Sequence, residues 1–423
     1  MRIVTTSRDR SRPAAALGGA LALCLAMAAA SDADAGSREQ AKRIHDRLVG
    51  TPPSATCLDQ MAAEVATNPK TAALDAITND GGSDACIGQD FYRVTLKNFI
   101  TPWTNEEQTV FAPLNDYTAT VIGIIRDDVD FREILSGDIL YTGNNSPAYS
   151  NTSNAHYETL ENSGANLGDP AVLIAKTQSA VTLLPAEATA GVITTRQGAK
   201  AFFIDGTNRA MFRFTLLNHL CTDLEQIKDT SRTPDRVRQD VSRSPGGDSR
   251  IFMNACVGCH SGMDPMAQAF AYYDFAYDHE ADPDAESGHL DYNGVGVTDP
   301  DTGSRVQGKY HINASNFEYG YHTPDDHWDN YWRAGQNSVL GWGWGNPALT
   351  GSGVGAKSLG EELANSEAFA RCQVEKVFKV VCLRAPVDSN DRGQIDSMIA
   401  SFKNSGYHLK QVFAESAEFC MGD

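Results

Sequence analysis

The chain is short of positive charge. Its 423 residues include 54 Asp and Glu against 35 Lys and Arg, for a formal net charge of −19. Such an excess argues against nucleic acid or anionic lipid as partners and favours basic protein partners through electrostatic steering, although an acidic surface also simply promotes solubility. The sequence lacks a Ser-His-Asp signature, a phosphate-binding glycine loop and an internal repeat. These absences exclude several common functions without selecting one.

Long apolar runs are missing beyond the N-terminus. Residues 14–30 form a stretch of Ala and Leu that is shorter than the ~20 residues needed to span a bilayer. Four arginines precede it, and Ala33-Asp34-Ala35 follows as an A-x-A cleavage site, with a cut after Ala30 as the alternative. We therefore predict that residues 1–35 are a Sec-type signal peptide and that the mature chain, with a net charge of −20 after loss of four Arg and three Asp, is periplasmic or secreted and has no transmembrane segment.

One short motif carries most of the chemical information. Cys256-Val-Gly-Cys-His260 is a C-x-x-C-H run, the attachment signal for a c-type haem. Two thiols on one helical turn can each form a thioether with a porphyrin vinyl group, and the adjacent imidazole then becomes the proximal iron ligand. The motif predicts one covalent haem c held by Cys256 and Cys259, with His260 on the iron. A disulfide-exchange pair, half of a zinc site and a chance match are the alternatives.

The remaining cysteines agree with export. Cys24 leaves with the signal peptide, and an even number stays beside the motif, which predicts three disulfides in an oxidising compartment. Six cysteines allow 15 pairings, and only Cys57 with Cys86 is favoured, because both lie in one N-terminal segment. The six are Cys57, Cys86, Cys221, Cys372, Cys382 and Cys420.

The motif and its surroundings resemble a known family. Cys256 to His260, followed by Ser-Gly-Met-Asp-Pro265 and Ala-Phe-Ala-Tyr-Tyr-Asp274, is similar to the haem segment of planctomycete-type cytochromes. Weaker similarity to their flanking helical domains lies at residues 114–117, 191–195, 206–209, 369–382, 406–407 and 413–419. The chain departs from the family at Met266-Ala-Gln-Ala-Phe270, where relatives usually have Gly and then Leu-Glu. The resemblance implies a haem cofactor and a helical fold but no defined reaction.

The residue opposite His260 decides the chemistry of a haem site. Two strong protein ligands favour electron transfer, whereas an open sixth position can bind peroxide or oxygen. His311, in a short stretch about 50 residues after the motif, is the leading distal ligand. His322, His327, a methionine or an open site remain alternatives, while Met263 and Met266 are expected to pack within the turn.

Other candidate side chains lie downstream of the motif. Arg333 is predicted either to pair a haem propionate or to form a surface salt bridge. Four of the five tryptophans, at positions 328, 332, 342 and 344, could wall the haem, relay electrons or pack as an ordinary core. Asp282, Asp284, Asp299 and Asp301 do not complete a calcium loop and are expected to be solvated.

The expected fold is mainly α, with several helical units and long irregular loops around the haem. Helices are predicted over residues 41–48, 58–66, 114–125, 131–135, 196–225, 359–381, 392–404 and 409–419. The expected units are a signal peptide (1–35), an N-terminal helical segment (36–105), a helical domain (106–235), a haem-binding domain (236–355) and a C-terminal helical domain (356–423).

Three functions fit these features. The first is an exported monohaem cytochrome that transfers single electrons between protein or small-molecule redox partners. The second is a haem oxidoreductase, such as a peroxidase, with an open distal site. The third is a structural or surface protein in which the haem organises the fold. The chain is much longer than the ~100 residues of a simple one-domain carrier, which lends weight to the second.

Overall fold

The computed structural model describes residues 36–78, 86, 89–204, 208–236, 249–311 and 323–422. The predicted signal peptide and His322, one of the alternative distal ligands, lie outside these ranges. Most described residues that belong to a regular element are helical, which confirms the mainly α prediction. Within the described ranges, the strands are three or four residues long and form three two-stranded antiparallel sheets.

The N-terminal helices begin at side chains that cap them. The Ser54 hydroxyl accepts from the backbone N–H of Cys57, and Asn68 caps the helix that starts with Pro69. The helices predicted over 41–48 and 58–66 are confirmed, and so is the Cys57–Cys86 disulfide. The helices are α1 (Ser37–Val49), α2 (Ala55–Val65) and α3 (Pro69–Ile77).

The central region is more broken than the sequence predicted. A single helix over 196–225 is wrong, because the structure has two helices and then a separate 3-10 turn, Leu224–Gln226. Cys221 takes a left-handed conformation with φ of 53°, and Asp223 forms a capping box, so the second helix ends before them. The elements are α4 (Lys97–Ile100), α5 (Asp116–Arg126), α6 (Glu133–Ser136), β1 (Leu140–Gly143), α7 (Ala155–Asn162), β2 (Leu173–Lys176), α8 (Gln178–Thr182), α9 (Arg196–Phe202) and α10 (Asn208–Leu220).

The C-x-x-C-H motif lies on a helix, as predicted. Ser249–Ile251 (α11) continues through a π-helical turn, Phe252–Cys256, into Val257–Ala267 (α12), which we call the motif helix. The described residues of the segment 278–355, in the part expected to form irregular loops, lie mostly in turns with a few short elements. The strands of this half are β3 (Tyr273–Ala276), β4 (His289–Tyr292), β5 (His327–Asp329) and β6 (Ser352–Val354).

Helices return at the C-terminus. The run predicted over 359–381 is divided, because Ser366 caps a new helix by accepting from the backbone N–H of Phe369. The helices predicted over 392–404 and 409–419 are confirmed. The bounds are α13 (Gly355–Ala364), α14 (Glu367–Cys382), α15 (Ser389–Asn404) and α16 (Leu409–Phe419).

The predicted helical units share one core. Buried apolar side chains from Ala41 to Ala417 form one continuous cluster, and a small second cluster surrounds Tyr272 and Tyr310. Two further disulfides, Cys221–Cys372 and Cys382–Cys420, complete the three that were predicted. Among the described residues, no helix has the length and apolar character to cross a bilayer.

Candidate functional site

Cys256 and Cys259 differ from the other described cysteines. The other six form the three disulfides, whereas these two are reduced and half-buried. Cys256 ends the π-helical turn, and Cys259 lies in the first turn of the motif helix. Two reduced thiols therefore flank the start of the helix, directly before His260.

The two thiols border an open surface. Ile251 and Met253, in the turns just before Cys256, are 47% and 45% exposed. The Cys259 thiol donates weakly to the Leu224 carbonyl at 3.6 Å. Burial, with a smaller effect from the nearby Glu225 carboxylate, raises the pKa of the Cys259 thiol.

His260 is oriented by a carboxylate one turn along the motif helix. Its Nδ1 lies 3.1 and 3.2 Å from the two oxygens of Asp264. Arg209, on α10, donates to the same carboxylate through Nε at 2.7 Å and Nη2 at 2.6 Å. Asp264 therefore lies between a guanidinium and the motif imidazole.

The protonation of Asp264 determines the tautomer of His260. Burial would raise the pKa of Asp264, but the Arg209 charge and the His260 hydrogen bond outweigh it and lower the pKa to about 2. An ionised carboxylate can only accept hydrogen bonds, so Nδ1 of His260 must donate. In the neutral imidazole the proton is then on Nδ1, and Nε2 is the atom with the lone pair for a metal.

The motif helix packs closely against its neighbours. The backbone N–H of Asp229 donates to the Gly258 carbonyl at 2.8 Å, and the Ser261 hydroxyl donates to the Asp229 carbonyl at 3.1 Å. Trp332 covers Gly262, where an added Cβ would lie 2.0 Å from Cε2 of the indole. The helix that carries His260 is thereby held on two sides.

Haem c fits the residues that are present. The thiol pair forms no disulfide, the imidazole has a donor on one nitrogen and a ligand atom on the other, and exposed apolar residues precede Cys256 in the chain. A zinc site has less support, because no group of three or more His, Cys, Asp or Glu side chains suited to a metal occurs in the described ranges.

His311 is not shown to face the motif imidazole. It ends the 3-10 turn Gly308–His311, and its Nε2 lies 2.7 Å from the Thr323 carbonyl. Thr323 and the neighbouring Tyr310 line a cavity of about 20 Å³ together with Asp264, the residue on the Nδ1 side of His260. The volume of that cavity is far below the roughly 300 Å³ of the smallest typical ligand pockets. A distal role for His311 stays a prediction that this geometry does not favour.

His327, the described alternative, is also engaged elsewhere. Its side chain is 47% exposed, and its Nε2 lies 3.4 Å from both Asp329 and the Ser352 hydroxyl. Met263 and Met266 are 4% and 0% exposed in the main core, as the packing prediction requires.

Arg333 forms a salt bridge in the core. Its Nε and Nη2 donate to the Glu362 carboxylate at 2.7 and 2.5 Å, and Glu362 is fully buried. Asn330 donates to the same carboxylate at 2.9 Å. We therefore leave Arg333 out of the proposed haem site, since its guanidinium already pairs with a carboxylate; the pair is not the surface salt bridge that was the alternative.

Most of the downstream tryptophans pack in the core, and two of the aspartates form hydrogen bonds within their loops. Trp328, Trp332 and Trp342 are buried, and Trp332 stacks on Trp342 with centroids 6.3 Å apart, whereas Trp344 is 65% exposed. Asp282 and Asp299 accept backbone N–H groups within their own loops. Core packing and loop formation account for these contacts.

Sequence reasoning missed Asp264 and Arg209 as site residues. Asp264 had a usable signal, because it follows His260 by four residues and lies on the same face once the helix of the motif continues past the expected turn. Arg209 had none, since it is 55 residues from Asp264 and the two meet only in the folded chain.

Comparison with protein-family models, with curated proteins and with solved structures finds no match. The resemblance to planctomycete-type cytochromes therefore stays a prediction that rests on the motif residues. Any assignment of function accordingly depends on the geometry around His260.

Proposed function

We propose that this chain is an exported monohaem c-type cytochrome that transfers single electrons between redox partners. The observation that carries the proposal is the division of the cysteines. Six of the eight described cysteines pair in disulfides, while the two of the C-x-x-C-H motif stay reduced beside an imidazole whose Nδ1 is engaged by Asp264.

Each motif residue has one role in this proposal. Cys256 and Cys259 hold the porphyrin through thioether bonds, and His260 binds the iron through Nε2. Haem c, when bound, supplies a one-electron Fe(III)/Fe(II) couple. Asp264 keeps the imidazole in one orientation, and the packing of Trp332 on Gly262 holds the helix that carries it.

Export and partner class have separate support. Three disulfides are typical of proteins that fold in an oxidising compartment, which agrees with the signal peptide expected at residues 1–35. The net charge of −19 favours a basic redox protein as partner over nucleic acid.

Covalent haem retention tests the proposal. The protein is produced with export and cytochrome maturation machinery, and haem is measured by the pyridine haemochrome spectrum before and after extraction with acidified acetone. The wild type should keep its haem, and Cys256→Ser/Cys259→Ser should lose it. Cys57→Ser/Cys86→Ser is the matched control, because it removes two cysteines and a disulfide but leaves the motif. Extractable haem, or none, in the wild type would refute the proposal.

A haem oxidoreductase is the second candidate. The ionised Asp264 makes His260 a more basic ligand, which stabilises oxidised iron and so favours chemistry with peroxide. The ferric electron spin resonance spectrum separates the two functions. A low-spin signal favours electron transfer, whereas a high-spin signal with peroxide-dependent dye oxidation well above that of free haem favours the enzyme.

A further inference from the structure

Asp264 has contacts beyond those of a structural salt bridge. Arg209 donates two hydrogen bonds to the carboxylate, and both carboxylate oxygens also lie within 3.2 Å of His260 Nδ1. Asp264 is 6% exposed, so these interactions are little screened by water.

Arg209 is held at the motif helix by its neighbour. The Asn208 side chain donates to the Ala267 carbonyl at 2.6 Å, at the end of the motif helix, and Arg209 follows at the start of α10. Two adjacent residues thus attach α10 to the helix that carries His260. The position of the Asp264 carboxylate is set by both helices.

The Arg333–Glu362 pair provides an internal comparison. It has the same bidentate geometry, with side-chain exposures of 26% and 0% against 28% and 6% for Arg209 and Asp264. A further hydrogen bond to the Glu362 carboxylate comes from Asn330, an amide, whereas Asp264 accepts from an imidazole. Burial of a charge pair alone therefore does not account for the contact with His260.

We infer that Asp264 and Arg209 are positioning residues that set the basicity of the proximal ligand and thereby lower the reduction potential of the haem. This inference rests on the proposed haem function. A charge-assisted hydrogen bond from Nδ1–H draws the proton toward the carboxylate and raises electron density on Nε2. A more basic ligand stabilises Fe(III) over Fe(II). Arg209 keeps the carboxylate plane directed at the imidazole.

Spectroelectrochemical titration of the purified holoprotein measures the effect. Asp264→Asn should shift the ferric-to-ferrous equilibrium about tenfold toward the ferrous form, which is a rise of about 59 mV for one electron. Asp264→Glu, which keeps the charge, should recover part of the shift. Glu362→Gln is the matched control and should lower stability without this change in potential.

A second variant covers the case in which Asp264→Asn fails to fold because Arg209 is left unpaired. Arg209→Met/Asp264→Asn removes both charges, and its potential should also rise. An unchanged potential in a haem-loaded Asp264 variant, or an equal rise in Glu362→Gln, overturns the inference and leaves the haem function standing. A wild type without covalent haem overturns both.

Discussion

The imidazoles of His260 and His219 have different polar partners. His260 donates to Asp264, whereas His219, 2% exposed, lies 2.7 Å from the Tyr117 hydroxyl through Nε2. Burial, with a smaller effect from the Lys376 ammonium, lowers the pKa of His219 well below its usual value. His219 is therefore neutral in the folded protein, and its Nε2 shares a hydrogen bond with the Tyr117 hydroxyl.

This state of His219 makes stability depend on pH. Because the folded pKa is depressed, the unfolded chain binds a proton below about pH 6.5 that the folded chain does not, so stability is lost as pH falls. His219→Gln, which keeps an acceptor for Tyr117, should reduce the loss of unfolding free energy between pH 7.5 and 5.5 by about 1.4 kcal/mol.

Urea denaturation at the two pH values measures this difference. His279→Gln is the control, since His279 is exposed and should leave the pH dependence as in the wild type. The same pH dependence in His219→Gln and the wild type would show that His219 is protonated in the folded state.

The motif helix depends on close backbone packing. Gly262 leaves room for the indole of Trp332, whose ring is fully buried and stacks on Trp342. Two residues before it is His260, so a shift of the helix at this point would also move the imidazole. Small size at position 262 is thus a requirement of packing and of the proposed site together.

Gly262→Ala should therefore destabilise the protein. The added methyl would lie 2.0 Å from a buried ring with little freedom to move, which corresponds to overpacking of about 1–3 kcal/mol. Gly393→Ala is the matched control, because no atom lies within 4 Å of its added methyl and it lies in α15. That control should gain about 0.5–1 kcal/mol from helix propensity.

Thermal and urea unfolding of both variants measure the expected loss of stability in Gly262→Ala and the expected gain in Gly393→Ala. Equal behaviour of the two alanine variants would mean that Trp332 can move away from the motif helix at little cost. A change in the haem spectrum of Gly262→Ala alone would support the link between this contact and His260.

Disulfides connect distant parts of the single core. Cys221, just after α10, pairs with Cys372 in α14 across 151 residues, while Cys57 and Cys86 are 29 residues apart. The region between Cys221 and Cys372 includes the whole motif helix. The longer link therefore restricts the part of the unfolded chain that carries the proposed haem site.

Removal of the longer link should cost more stability. In the chain-entropy view, a disulfide that closes 151 residues contributes about 1.5 kcal/mol more than one that closes 29 residues. Cys221→Ala/Cys372→Ala should accordingly lose more unfolding free energy than Cys57→Ala/Cys86→Ala. Denaturant unfolding of the haem-loaded proteins measures both, and an equal or reversed order would refute the entropic account.

Local patterns in the sequence were enough for much of the fold. Apolar spacing predicted α16 within its observed bounds, and the even count of cysteines outside the motif predicted three disulfides. The Cys57–Cys86 pair was accessible because both cysteines lie in one short segment. These signals act over a few residues, or through simple parity, and do not require knowledge of which segments meet.

Contacts between distant segments were decided by the tertiary structure. The sequence left a haem propionate or a surface salt bridge as alternatives for Arg333, and packing against α13 paired it with Glu362 instead. The sequence shows Asp264 four residues after His260, but the ionised state of Asp264 depends on Arg209, which lies on another helix. Such pairings depend on burial and on the crossing of helices, and they have no recognisable pattern of spacing in the sequence.

The C-x-x-C-H motif by itself determined which thiols and which imidazole are candidates for a haem. The tertiary structure pairs the other described cysteines in disulfides and places the buried Asp264 carboxylate at Nδ1 of His260. The physical reason is the difference in range. The spacing of the motif is a property of consecutive residues in the chain. The charge and the hydrogen bonds around His260 come from side chains that meet only when the core forms.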